Sequence, residues 1–234
     1  MIAERYFDGE PLRAAQAIGR DDIGELRKLV QGGVKPDTEG KEGETLLSFA
    51  VRVDKRDSLR ELLQLGANPN FRSSIGWSAM AAAARADDED LLRILLDSGG
   101  DPNLRDDVGR PIAFHSTPTG GLAPAAAADP VHWGKLELLL KRGADINATA
   151  PDGNNLVLYL ALTEDWEQVA YLIERGADFQ HKDAVGLSVP IEVQESRMDP
   201  ATPGLRKVKQ LLIERGVTFP VPAPPPTHPA PKAQ

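Results

Sequence analysis

The sequence predicts an all-α fold in which helical hairpins stack in tandem, and three observations support this prediction. Aromatic residues make up 5% of the 234 residues, while Ala, Leu and Gly are abundant. This composition suits closely packed small helices better than a sandwich of strands. The second observation is a phrase that recurs six times, and the third is the regular spacing of its glycine. Copies at a fixed spacing are typical of repeat architectures.

The recurring phrase has two apolar residues at a helix end, then a Gly, a small residue, a polar residue and an extended tail. Its copies are LVQGGVKPD (29–37), LLQLGANPN (62–70), LLDSGGDPN (95–103), LLKRGADIN (139–147), LIERGADFQ (172–180) and LIERGVTFP (212–220). The closing glycines stand at 33, 66, 99, 143, 176 and 216, so the period is 33 residues. The two longer intervals require insertions of about 11 and about 7 residues.

Each unit also has a second glycine upstream of the first helix, two residues before a Thr, Ser, Pro or Asn that opens that helix. These glycines are Gly9, Gly43, Gly76, Gly109, Gly153 and Gly186. First helices are rich in alanine, as in 79–84, because a helix between two neighbours needs small side chains. Second helices place leucines at helical spacing, as at Leu59 and Leu62, which predicts a buried stripe.

This pattern resembles the ankyrin repeat, a β-turn followed by two antiparallel helices, and the matching stretches are TLLSFA (45–50) and SAMAAA (78–83). The resemblance implies an all-α ankyrin-repeat solenoid of about six units with short hairpin turns over residues 1–219. The expected units are about 5–37, 38–70, 71–103, 104–147, 148–180 and 181–219. The proline-rich residues 220–234 are expected to form an extended or disordered tail.

Charge and composition restrict the classes of partner. The net charge of −8 disfavours binding to nucleic acid or to an anionic membrane, so we expect a basic or neutral protein partner. The absence of cysteine excludes disulfides and thiolate metal sites. No apolar run approaches the ~18 residues of a membrane span, so we expect no membrane insertion. The expected location is the periplasm if a leader has been removed, and otherwise the cytoplasm.

The usual signatures of catalysis do not occur. The sequence has no GxSxG, HExxH, GxxxxGK[ST] or GxGxxG motif. The four histidines, His115, His132, His181 and His228, are scattered without a base-and-nucleophile pattern, and His115 with His132 lacks a third metal ligand. We therefore predict that the chain is not an enzyme and has no cofactor or metal. An unrecognised enzyme is the rival from another functional class.

The resemblance implies where a partner binds, since ankyrin proteins usually hold partners with hairpin tips and the exposed side of first helices. The corresponding residues are Lys41, Glu42, Glu44, Arg52, Ile75, Trp77, Arg85, Val108, Arg110, His115 and Asn154. Trp77 with Ile75 is expected to be central, because an aromatic beside an aliphatic side chain and ringed by charge is typical of hot spots. The alternative is that Trp77 packs on the neighbouring hairpin and stiffens the stack.

The irregular segment Pro111 to Pro130 is a candidate recognition loop, because its prolines and glycines interrupt any long helix. The alternative is a tolerated surface insertion. The opening, Glu4 to Ile18, looks like bacterial ankyrin proteins that protect against secreted antibacterial effectors, especially lipases. This resemblance implies an immunity protein, monomeric when free, whose concave acidic face binds and occludes one partner, a toxin effector or enzyme. An accessory scaffold or stabiliser of a bacterial enzyme is the alternative.

Overall fold

The computed structural model describes residues 2–117 and 130–223, and of residues 130–133 it describes the backbone alone. These residues form two compact units. Unit 1 comprises the described residues up to 117 together with 130–144, and unit 2 comprises 145–223. Both units are helical, and β structure within the described ranges is confined to isolated antiparallel bridges. The all-α prediction is confirmed. The tail beyond 223 and loop residues 118–129 lie outside the described residues.

Unit 1 is built from two layers of helices. Its α-helices are α1 (Ala3–Tyr6), α2 (Gly9–Arg20), α3 (Ile23–Gln31), α4 (Leu46–Arg52), α5 (Arg56–Gln64), α6 (Ala79–Arg85), α7 (Glu89–Asp97) and α8 (Pro130–Lys141). The first helices α2, α4 and α6 pack side by side, and the second helices α3, α5, α7 and α8 form the other layer. Short 3-10 helices span Lys41–Gly43 and Ile112–Ser116, and the latter packs on α6 and α8 where a further first helix is expected.

Unit 2 repeats this plan with four helices. They are α9 (Leu156–Leu162), α10 (Trp166–Glu174), α11 (Val189–Glu195) and α12 (Pro203–Glu214). The first helices α9 and α11 pack together, as do the second helices α10 and α12. Within the described part of the chain, no helix has the length and apolar character needed to cross a membrane.

Side chains at the predicted positions open the first helices. Thr45 forms a capping box with Ser48, in which the Thr45 hydroxyl accepts from the Ser48 N–H and the Ser48 hydroxyl accepts from the Thr45 N–H. Ser78 accepts a hydrogen bond from the N–H of Ala81 at 3.1 Å. These bonds satisfy backbone donors that a helix start leaves unpaired, which explains why the sequence places Thr or Ser there.

The closing glycines end the second helices. At Gly66, for example, φ is +95°, and the next N–H, of Ala67, donates to the carbonyl of Leu62 at 2.9 Å. A side chain is strained in this left-handed conformation, so glycine is favoured. The leucine stripe behind these turns is buried, since Leu59, Leu62, Leu92 and Leu95 are each 0% exposed. The predicted core is therefore confirmed.

Where an Asp or Asn ends the phrase, its side chain links consecutive repeats. The side chain of Asn70 accepts from the N–H of Asp101 at 2.6 Å and donates to the carbonyl of Gly99 at 2.9 Å. In unit 2 the Asn147 side chain accepts from the N–H of Asp178 at 2.8 Å. These bonds occupy backbone groups of the next turn, so the Asn in the phrase has a structural role.

Candidate protein-binding site

Exposed apolar side chains stand at equivalent places in successive hairpins of unit 1. Ile75 is 57% exposed and Val108 is 61% exposed, and each directly precedes a hairpin glycine with positive φ. The first hairpin is closed by a hydrogen bond from the Ser73 N–H to the Trp77 carbonyl at 2.8 Å. The second is closed by a bond from the Asp106 N–H to the Arg110 carbonyl, also at 2.8 Å. Backbone bonds therefore fix both apolar tips.

Neighbouring hairpins lie against one another. A Cβ atom at Gly43 would stand 2.5 Å from Cγ1 of Ile75, and a Cβ at Gly76 would stand 3.0 Å from Cα of Asp107. Each hairpin glycine therefore leaves room for the next hairpin, in addition to adopting positive φ. This close approach places Ile75 beside the Lys41–Gly43 turn and Val108 beside the Ile75 hairpin.

Glu44 lies behind this surface. It is 2% exposed, and its carboxylate accepts hydrogen bonds from the Ser48 hydroxyl at 2.8 Å and from Nη2 of Arg52 at 2.6 Å. The guanidinium of Arg52 also lies over the ring of Tyr6, 5.2 Å from its centroid. Arg52 is 39% exposed, so it reaches the surface while Glu44 holds it from below.

A second cluster surrounds Arg85. Its guanidinium lies 5.0 Å from the centroid of the Trp77 ring, and its Nε donates to Nδ1 of His115 at 3.3 Å. Nε2 of His115 stands 2.8 Å from a carboxylate oxygen of Asp106. His115 is 6% exposed and Asp106 is 1% exposed, whereas Arg85 is 43% exposed. An Nδ1 that accepts and an Nε2 that donates fit a neutral imidazole.

Trp77 is half-buried in this cluster. Its indole Nε1 is buried and makes no hydrogen bond with any residue that the structure describes. Arg85 lies over one face of the ring, and part of Trp77 remains accessible to solvent.

The other predicted residues divide between surface and interior. Lys41 and Glu42 are each 56% exposed and form ion pairs, with Asp8 at 2.7 Å and with Arg5 at 3.0 Å. Arg110 is half-buried. Asn154 lies in unit 2 and is 8% exposed. Unit 1 thus contains every predicted residue except Asn154.

The candidate loop is described only in part. Residues 111–117 run through the 3-10 helix Ile112–Ser116, whose residues are buried, and the hydroxyl of Thr117 donates to the Phe114 carbonyl at 3.0 Å. Residues 118–129 and the side chain of His132 lie outside the described residues. In the described ranges, no three His, Cys, Asp or Glu side chains are grouped so that they could hold a metal ion.

The sequence and the fold both match known repeat proteins. A family model for ankyrin repeats, three copies long, matches residues 12–106. Residues 12–106 are ankyrin repeats. Its fold is similar to the ankyrin repeat domain of Bcl-3, "a unique member of the IkappaB protein family", with a TM-score of 0.70 and 22% identity. That match covers 88% of this chain and 86% of the Bcl-3 domain.

Two further ankyrin structures are similar in fold. EF0377 gives a TM-score of 0.67 at 21% identity, with 88% of this chain and 99% of that chain covered. An ankyrin repeat domain from Acinetobacter baumannii AYE gives a TM-score of 0.69 at 20% identity, with 87% of this chain and 97% of that domain covered. At these identities the likeness shows the fold alone. No curated protein matches the sequence. Ankyrin repeats are protein–protein interaction modules and are typically not enzymes, so the chain is assigned to protein binding.

One exposed apolar residue is absent from the predicted site. Val185 in unit 2 is 44% exposed and directly precedes the hairpin glycine Gly186, which is the place that Ile75 and Val108 occupy in their own hairpins. The signal was available in the sequence, because aligning the hairpin glycines of the six units brings Val185 into this register.

Acidification is expected to destabilise the protein through His115. Burial and the charge of Arg85 lower the pKa of His115, against the effect of Asp106. The unfolded chain, with a His pKa of about 6.5, therefore binds this proton first as the pH falls. The stabilising contribution is present above that pH and is lost as the pH falls towards the folded-state pKa. In urea unfolding between pH 7 and pH 5, the free energy of unfolding should decline less steeply for His115→Gln than for wild type. Parallel declines would show that His115 is not the source of the pH dependence.

Proposed function

We propose that this chain is a stoichiometric inhibitor that covers a functional surface of one protein partner. The proposed contact area is the tip face, which we define as Arg52, Ile75, Trp77, Arg85 and Val108. The observation on which the proposal rests is the pair of exposed apolar side chains in successive hairpins, at 57% for Ile75 and 61% for Val108. Adjacent apolar groups beside charged side chains are typical of the centre and rim of a protein interface.

Rigidity supports a preformed binding surface. The backbone bonds within the hairpins and the contacts of Arg52 and Arg85 with Tyr6 and Trp77 order the tip face before any partner arrives. A surface that is already ordered loses little conformational entropy on association, so more of the contact energy appears as affinity.

Binding without catalysis is the proposed activity. The buried His115 contacts Arg85 of the tip face, and both of its ring nitrogens are engaged, by Asp106 and by Arg85. A general base needs a nitrogen within reach of substrate. The buried ring therefore fits a structural role better than a catalytic one.

The narrower proposal is that the partner is a toxin effector, such as a lipase, and that this chain is its immunity protein. The support is the resemblance of residues 4–18, which lie in α1 and α2, to bacterial ankyrin proteins of that kind. Occlusion is the mechanism that a rigid binding surface could supply: the tip face would cover the mouth of the active site or hold a lid closed.

Affinity capture from the native host, followed by mass spectrometry, tests this role. The captured partner is then assayed with increasing amounts of this chain. An immunity protein abolishes the partner's activity at one equivalent. A partner that keeps or gains activity in the complex would contradict inhibition and favour the accessory scaffold.

Charges placed in the apolar tips are expected to weaken the complex. The double substitution Ile75→Asp with Val108→Asp should lower affinity at least thirtyfold, about 2 kcal/mol, because two carboxylates would be desolvated at the interface. Isothermal calorimetry with the captured partner measures the effect. The matched control is Ile213→Asp in α12, where the side chain is 49% exposed and far along the sequence from the tip face. If the double variant and the control bound the partner with equal affinity, the tip face would not be part of the interface.

A further inference from the structure

Two arginines occupy the same place in neighbouring repeats of unit 1. Arg52 is the last residue of α4, Arg85 is the last residue of α6, and these two helices pack side by side. We refer to them as the arginine pair. Helices packed in this way lie about 8–10 Å apart, so the backbones of the two arginines stand at about that spacing along the repeats.

Each guanidinium is held by the same kinds of group, although the residues that provide them differ. Arg52 has the buried carboxylate of Glu44 and the ring of Tyr6. Arg85 has the ring of Trp77 and, through His115 and directly at 3.8 Å, the buried carboxylate of Asp106. A carboxylate with an aromatic ring fixes a long side chain that otherwise samples many rotamers.

The arginine pair keeps donors for a further ligand. Arg52 uses Nε and Nη2 towards Glu44, and Arg85 uses Nε towards Nδ1 of His115. Nη1 of each makes no hydrogen bond with the described residues, and the two side chains are 39% and 43% exposed. The counter-carboxylates Glu44 and Asp106 are 2% and 1% exposed, so an approaching molecule meets the guanidinium groups and not the carboxylates.

We infer that the arginine pair binds two carboxylates of an acidic segment of the partner. Guanidinium groups suit carboxylates because their planar donors match two oxygens. A segment in the polyproline II conformation has three residues per turn and rises about 3.1 Å per residue, so acidic side chains three residues apart lie on one face and about 9 Å from each other. The remaining Nη1 donors thus favour an acidic segment, although the whole chain carries −8. This inference rests on the proposed function and specifies the chemistry of the partner.

Short synthetic peptides test the inference without a known partner. The probe is a peptide with two Glu three residues apart in a Gly/Ser background, and its control has Gln at both positions. NMR of the full chain, observing the arginine Nε–H signals, should show that the Glu peptide shifts the signals of Arg52 and Arg85 and that 0.5 M salt removes the shifts. Equal shifts from the Gln peptide, or none from the Glu peptide, would overturn the inference. Inorganic triphosphate that shifts both signals when the peptide does not would also overturn it.

Matched arginine variants complete the test. Arg85→Gln and Arg52→Gln should each weaken Glu-peptide binding at least threefold, as loss of one charged contact does. The controls are Arg60→Gln and Arg93→Gln, whose side chains are 50% and 46% exposed and pair with acidic residues of their own helices. If the control variants lost as much affinity for the Glu peptide as Arg52→Gln and Arg85→Gln, the inference would be overturned. In one outcome, a captured partner binds the Ile75→Asp/Val108→Asp variant more weakly than wild type but binds Arg52→Gln and Arg85→Gln as tightly as wild type. That result would leave the proposed function intact and reject the acidic segment.

Discussion

Replacing Phe49 with alanine is expected to lower the free energy of unfolding by about 3–5 kcal/mol. Phe49 is 0% exposed in α4, and its ring makes edge contacts with Tyr6 at 6.4 Å and with Phe7 at 5.7 Å between centroids. Alanine would remove both aromatic contacts and leave a cavity where α1 meets the first-helix layer. Aromatic pairs of this geometry add about 0.5–1.5 kcal/mol each beyond the area that they bury.

Urea unfolding followed by circular dichroism measures this loss. The control is Leu162→Ala in α9, where the side chain is 39% exposed and less than about 1 kcal/mol is expected. In a repeat protein each unit depends on its neighbours, so amide exchange in α1 and α2 should accelerate more than exchange in unit 2. A Phe49→Ala protein as stable as the Leu162→Ala control would contradict the packing of the N-terminal helices.

The parts of the fold that depend on local causes could be predicted from the sequence. Gly66 ends a helix because it adopts positive φ, and Thr45 opens one because its hydroxyl caps the first turn. The buried stripe at Leu59 and Leu62 follows from helical spacing. Each of these features is determined within a few residues, and its recurrence at a fixed period made the stacking of units predictable as well.

The burial of charged site residues could not be predicted in the same way. Glu44 stands in a hairpin, where a carboxylate is usually exposed, yet Arg52 and Ser48 bond it in the interior. His115 is buried because Asp106 and Arg85 converge on it from separate segments. Hairpin position predicted which residues lie near the tip face, but only contacts between repeats decide which of them reach solvent.

Replacing Lys135 with methionine is expected to lower the free energy of unfolding by about 2–4 kcal/mol, because one buried and one part-buried carbonyl group would lose a charged donor. Lys135 lies in α8 and is 0% exposed, and its ammonium group donates to the carbonyls of Ala84, at 2.7 Å, and of Ala86. These carbonyls belong to the end of α6, where a helix lacks partners of its own. Lys135 therefore caps a helix that lies about fifty positions earlier in the sequence.

Methionine keeps most of the volume of the lysine stem, so the loss measured by urea unfolding reports mainly the missing hydrogen bonds. The matched control is Lys141→Met in the same helix, where the side chain is 69% exposed and pairs with Glu137. Exposed pairs contribute about 0–1 kcal/mol, so this control should remain close to wild type. Equal stability of the two variants would mean that the α6 carbonyls find other donors. A lysine on a helix is usually a surface residue, and only the approach of α8 to α6 converts Lys135 into a cap.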